Sequence, residues 1–111
     1  IDKDSSGSFS RFGANHGNHK ATIGIIVHEL GHAMLSLRDF YDDGGGSGLG
    51  WYDVMSGGSW AYQNGDQYQG DTPTQFSTYN KALAGLDMNR TVANSSTTVT
   101  IKCSTNDNIQ L

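Results

Sequence analysis

VHELGHAML, residues 27–35, decides how the rest of the chain is read. On an α-helix, residues four apart share a face, so His28 and His32 aim at one spot about one turn long and can hold one metal ion. Two imidazoles presented this way suit zinc. Glu29 follows the first histidine, rotated roughly 100° around the helix axis, where its carboxylate reaches a metal-bound water without ligating the metal. That is the place of a general base. The surrounding apolar residues predict a helix near residues 21–35. Ile23, Ile26 or Val27, Leu30, Ala33 or Met34, and Leu37 recur at the spacing of a buried stripe, with the two histidines off that stripe on a flank. Gly24 and Gly31 each cost about 1 kcal/mol of helix propensity against alanine. Their presence predicts that another backbone, or the metal site itself, packs very close at those positions.

The composition bounds the classes of function. With 111 residues, 35% of them hydrophobic and 15 of them glycine, the chain has material for one loop-rich domain with a small core. A net charge of -4 without any basic run argues against a nucleic-acid surface and mildly favours cations. No apolar run approaches the roughly 20 residues of a membrane span. Cys103 is the single cysteine, which excludes an internal disulfide and a cysteine-type structural zinc site, so a metal must rest on histidine and carboxylate. The first residue is Ile1, and the expectation is a piece of a larger protein. Asn89 and Asn94 begin triplets that match glycosylation acceptors, a common pattern of little weight.

Along the chain, residues 1–20 are rich in Ser, Gly, Asn and Asp and read as loop or extended chain, with Phe9 and Phe12 to bury. His16 and His19 in NHGNH form a reserve metal pair, although in such a loop histidines are more often solvated. Residues 39–50, DFYDDGGGSGLG, combine Asp39, Asp42 and Asp43 with flexible glycines. Carboxylates and mobile carbonyls of this kind suit Ca2+, although an acidic solvated loop is the commoner case and the EF-hand spacing is absent. WYDVMSGGSW sets Met55 in a tight turn between Trp51, Tyr52 and Trp60, which should pack as a small hydrophobic floor. Thr72, Pro73 and Gln75 spell a capping box that predicts a second helix starting there, with Phe76, Tyr79, Leu83 and Leu86 as its apolar stripe and Gly85 at its end. TTVTIKC alternates Val99, Ile101 and Cys103 with polar residues and predicts a half-buried strand.

Catalytic zinc normally takes three protein ligands and leaves a position for water, so a third is required. The predicted second helix, residues 73–84, has no acidic residue to offer. The remaining route breaks the first helix soon after His32 and turns the chain back. Asp39 is then the natural ligand, with Asp42 and Asp43 behind it.

HELGH, then RDFYD, GLGWYDVMSGGSW and TPTQFSTYNKALAGL, in that order, resemble the secreted bacterial immune inhibitor A-like metallopeptidases over residues 22–86. The resemblance implies an α+β fold, mainly α: the loop-rich lower half of a metzincin-like catalytic domain over residues 1–88, with an incomplete N-terminal sheet; the alternation in TTVTIKC makes residues 89–111 the expected start of a following β-rich segment. The resemblance also implies a secreted zinc metalloendopeptidase acting on proteins or peptides, with His28, His32 and an aspartate as zinc ligands and Glu29 as base. Met55 would lie in a methionine turn beneath the histidines, and a structural Ca2+ is often present. The charge balance and the lack of a long apolar run give the expectation of neither a nucleic-acid nor a membrane partner. The rival reading is a zinc- or calcium-binding module without catalysis. In the family's usual pattern, H-E-x-x-H-x-x-G-x-x-D, a glycine and an aspartate stand where this chain has Leu35 and Arg38, so the aspartate Asp39 comes one residue late and the loop is expected to be one residue longer. The turn out of the helix must then use Leu35 or Ser36, in a backbone conformation costly for either. Tyr52 or Tyr62 could serve as a second donor to a developing oxyanion.

Overall fold

Helix α1 spans Ile23–Leu35 in the computed structural model, which describes residues 2–4, 7–86 and 96. Before it come two antiparallel hairpins, β1 (Asp2–Asp4) with β2 (Gly7–Phe9) and β3 (Asn15–His16) with β4 (His19–Lys20). The second pairs His16 opposite His19. The N-terminal segment is thus extended chain folded into ribbons rather than open loop. A mixed helix and sheet composition agrees with the α+β expectation. The strand predicted around Val99 to Cys103 lies outside the described residues.

The face that α1 buries is not the apolar stripe. Its buried residues are Gly24, His28 and Gly31, spaced four and three apart, whereas Ile23, Leu30 and Met34 are exposed, Met34 by 74%. The reason is steric. Gly24 donates its N–H to the Gly70 carbonyl at 2.9 Å and lies so close to the Ser59 backbone that a methyl group would overlap the Ser59 carbonyl oxygen. At Gly31 a methyl group would meet the Met55 sulfur at 2.6 Å and the Phe76 ring at 3.3 Å. The two glycines therefore define the contact face, as their low propensity suggested, and His28 lies between them within that face.

Among the described residues the core is small: Leu37, Val54 and Met55 are buried, with Val27, Leu35, Phe40, Phe76 and Ala84 packed around them. Met55 and Val54 form the floor alone. Trp51 and Tyr52, expected there, are exposed by 52% and 85%, and Trp60 is half-buried against His16 at a ring-centroid distance of 5.1 Å. Residues 53–56 occupy the interior because their backbone is gripped from both sides, Phe40 N donating to the Met55 carbonyl at 2.8 Å and Val54 N to the Gln75 carbonyl at 3.3 Å. The tight 3-10 turn Gly50–Tyr52 is left outside.

The second helix is shorter than its capping box predicts. Helix α2 spans Thr78–Leu83, and its N-cap is Ser77, whose hydroxyl accepts from Asn80 N. Thr72 donates its hydroxyl hydrogen to Asp66 instead, at 3.0 Å. Residues 74–77 spend their backbone on tertiary bonds: Thr74 N reaches the Gly58 carbonyl, the Gln75 carbonyl accepts from Val54 N, and Ser77 N reaches the Asp53 carboxylate. A helix over these residues would forfeit those bonds. Tyr79, Leu83 and Leu86 are exposed, and Asn80 is the buried residue of α2. The expected end is found: Gly85 N bonds the Ala82 carbonyl and Leu86 N the Lys81 carbonyl, a Schellman closure.

Gly31→Ala gains about 1 kcal/mol of helix propensity but must displace the buried Met55 thioether, an overpacking cost of about 1–3 kcal/mol. The expected outcome is a net loss of stability in urea or thermal denaturation. An unchanged or raised midpoint would show that Met55 repacks freely.

Candidate metal centre

Each histidine of α1 is fixed by its Nδ1. His28 Nδ1 lies 2.8 Å from the Val54 carbonyl and His32 Nδ1 lies 2.7 Å from the Leu37 carbonyl. A carbonyl oxygen only accepts, so each Nδ1 carries a hydrogen, and in the neutral ring each Nε2 then presents a lone pair. The Nε2 atoms are 3.2 Å apart, and Asp39 Oδ1 lies 3.0 Å from that of His28 and 3.2 Å from that of His32. With both imidazoles neutral, three acceptors converge and no proton lies among them. A single proton would relieve one contact; a cation relieves all three. Metal bonds of 2.0–2.1 Å in a tetrahedron place ligand atoms about 3.3 Å apart, close to the three separations found. Nitrogen and carboxylate donors in this number fit zinc. Among the described residues, this is the one group of three or more His, Cys, Asp or Glu able to share an ion.

Asp39 reaches the group through a turn made by a serine. Ser36, at φ 54° and ψ 27°, is the one non-glycine residue with positive φ among the described residues, and its N–H bonds the Gly31 carbonyl. Leu37 N also bonds that carbonyl, its side chain is buried in the core, and its own carbonyl holds His32. Phe40 N is tied to the Met55 carbonyl, so the chain is anchored on both sides of Asp39. The left-handed residue stands four positions after His32 and Asp39 three beyond it. The additional residue expected between His32 and Asp39 therefore lies before the turn, and the stretch from the turn to the aspartate has the length of the pattern that the sequence resembles.

Glu29 is half-buried next to His28, and Ser10 donates its hydroxyl hydrogen to the Glu29 backbone carbonyl at 2.9 Å, tying the N-terminal segment to α1. Asp42 is spent elsewhere: its two oxygens accept from Gly44 N and Gly46 N at 2.8 and 3.0 Å, which shapes the glycine loop. Neither Asp42 nor Asp43 joins the three-residue group. His16 and His19 face each other at 6.1 Å between ring centroids, but His16 leans on Trp60 and His19 stacks on Tyr68 at 3.8 Å. No third ligand joins them among the described residues.

Three residues near the centre escaped the sequence reading. The Tyr41 ring lies 5.8 Å from that of His28 between centroids, whereas Tyr62 is occupied with Trp51 at 6.2 Å and Tyr52 points to solvent. Asp53 and Asn80 are completely buried and bonded to each other at 2.7 Å. Asp53 could have been noticed as the acidic residue beside Met55; Asn80 carries no local signal.

The arrangement brings two histidines of an H-E-x-x-H helix and one aspartate into a group that could hold a metal ion. Residues 3–91 match the family model of the immune inhibitor A peptidase M6 catalytic domain, and the chain belongs to that family. It is 44% identical over 62 residues to immune inhibitor A of Bacillus thuringiensis subsp. alesti, an alignment covering 53% of this chain and 8% of that protein. No solved structure matches the chain.

Two substitutions probe how Asp39 is presented. Ser36→Gly removes the left-handed strain of a β-carbon and should raise stability by about 0.5–1 kcal/mol in denaturant titration; a decrease would show that the serine contributes something the turn needs. Asp39→Ala should lower zinc affinity at least tenfold in chelator competition, whereas Asp42→Ala should leave it within about twofold. Equal effects would reopen the assignment of the third ligand.

Proposed function

We propose that this chain carries the zinc-binding part of a secreted zinc metalloendopeptidase, with His28, His32 and Asp39 as ligands and Glu29 as general base. The observation that carries the reading is the convergence of three acceptor atoms with both histidine Nδ1 hydrogens committed elsewhere. A structural site would fill a fourth position with protein and have no use for Glu29. Membership of a peptidase family supplies the substrate class, proteins or peptides. Secretion and the lower half of a metzincin-like fold, over residues 1–88, are carried by the resemblance. The buried Met55 against α1 supports the methionine-turn part of it. Residues 89–111 are read as the start of a following β-rich segment. No described helix is long and apolar enough to cross a membrane. A structural Ca2+ rests on the resemblance alone, because Asp42 has committed both oxygens to backbone amides.

Zinc, when bound, supplies Lewis acidity at the scissile carbonyl and lowers the pKa of a bound water toward about 7. The chain's own residues do the rest. His28, held in one tautomer within the buried face, and His32 fix the two nitrogen donors. Asp39, with a side chain 55% exposed, closes the set from the solvent side. Glu29 follows His28 on the helix, and no hydrogen bond or ion pair engages its carboxylate among the described residues. It is available to take a proton from the attacking water and deliver it to the leaving amine. No side chain becomes covalently attached to substrate.

The test is bound zinc and hydrolysis of casein or gelatin by wild type and Glu29→Gln. The variant should keep its zinc and lose activity by about 10^2–10^4-fold. Wild-type protein that binds zinc and cleaves nothing would overturn the peptidase reading and leave a metal-binding module.

A further inference from the structure

The buried carboxylate of Asp53 is satisfied entirely by neutral N–H donors: Oδ1 accepts from Met55 N at 2.7 Å, and Oδ2 accepts from Asn80 Nδ2 at 2.7 Å and Ser77 N at 3.0 Å. The first of these bonds matters most. Met55 N–H and the Val54 carbonyl are the two ends of one planar trans peptide group, pointing in opposite directions. Asp53 Oδ1 grips the N–H end, and the carbonyl end receives His28 Nδ1–H at 2.8 Å. A chain of hydrogen bonds therefore runs from the carboxylate through one peptide group to the imidazole whose Nε2 faces the metal position.

We infer that Asp53 is a positioning residue for the metal centre, acting on His28 through the Val54–Met55 peptide. A carboxylate hydrogen-bonded directly to a ligating histidine orients the ring and raises its basicity; here a peptide group stands between them and transmits the same two effects. The ionised carboxylate polarises the peptide, which makes the Val54 carbonyl a stronger acceptor, and hydrogen bonds in such a series strengthen one another. Orientation follows from the ring that Asp53 Oδ1 and Met55 N close around Val54, since rotation of that peptide would break both bonds. Asn80 and Ser77 hold the other oxygen, so the carboxylate cannot turn away. The Leu37 carbonyl that holds His32 belongs to the peptide of Arg38, and no hydrogen bond from that N–H is seen among the described residues. The two ligands thus differ in support.

The inference rests on the metal-centre reading, and the experiment separates the two. Zinc affinity by chelator competition, the visible spectrum of the Co2+-loaded protein and thermal stability are measured on the full chain for wild type, Asp53→Asn, and Asp53→Asn combined with Asn80→Asp. Asp53→Asn should lose about tenfold in zinc affinity and shift the Co2+ bands. The double substitution moves the carboxylate to residue 80 and restores a donor and acceptor between the two positions. It restores the bond between residues 53 and 80 but not the acceptor of Ser77 N, so it should recover part of the stability and leave the affinity loss in place. Recovery of affinity together with stability would reduce Asp53 to a structural role and overturn the inference, as would wild-type affinity in the single variant. Should the variants fail to fold, the zinc-loaded wild type still decides by proton NMR: the His28 Nδ1–H resonance should lie downfield of that of His32, and the reverse order overturns the inference. Wild type without any metal affinity would overturn the metal centre itself.

Discussion

The contact between the face of α1 and the turn at Val54 and Met55 is the constraint from which the rest of the centre follows. Two successive carbonyls of that turn serve two of the three clustered residues: Val54 receives His28 directly, and Met55 receives Phe40 N, the neighbour of Asp39. A shift of the turn by a fraction of an ångström would move one ligand on the helix and another on the loop together. The turn can come this close because Gly31 offers no side chain beneath the Met55 thioether. The conformational penalty of a glycine within a helix is the condition for the geometry of the site.

Among the described residues, the buried side chains are more often polar than apolar. Beside Leu37, Val54 and Met55, the buried set contains Thr22, His28, Asp53, Ser56, Ser59 and Asn80. Such groups stabilise when they are hydrogen-bonded, as all of these are through at least one atom although the Asn80 side-chain oxygen has no partner among the described residues, and they then fix one arrangement more sharply than apolar packing does. Ser59 bonds the Ser56 carbonyl, Thr22 the Gln69 carbonyl, and Asp53 closes three bonds at once. A small apolar core surrounded by a directed polar network suits a site whose ligand atoms must hold separations near 3 Å.

How much of this was legible in the sequence depended on whether the signal was local. The helix with its histidines and the closure at Gly85 are properties of a few adjacent residues, and the structure contains them. The close approach foreseen at Gly24 and Gly31 was legible because glycine in a helix is costly unless space demands it. The capping box at Thr72 misled for the converse reason. Its residues do favour a helix start locally, but the Gly58, Val54 and Asp53 backbone and side-chain groups compete for the same peptides and win. The apolar stripe of α1 misled as well, since periodicity counts hydrophobic side chains and the buried face here is made of two glycines and a histidine.

By itself, the sequence determined the chemistry available: two imidazoles four residues apart on one helix, a carboxylate beside the first, and an aspartate a short turn away. These follow from helical geometry and composition, which need no partner. Tertiary structure alone decided which nitrogen of each histidine faces Asp39, because the Nδ1 atoms are held by carbonyls 26 and five residues distant. It also decided that Asp39 rather than Asp42 joins the histidines, since a left-handed serine and an anchored leucine aim one carboxylate inward while loop amides consume the other. Side-chain identity is written locally; the orientation of a lone pair depends on what the folded chain brings against the opposite side of the ring.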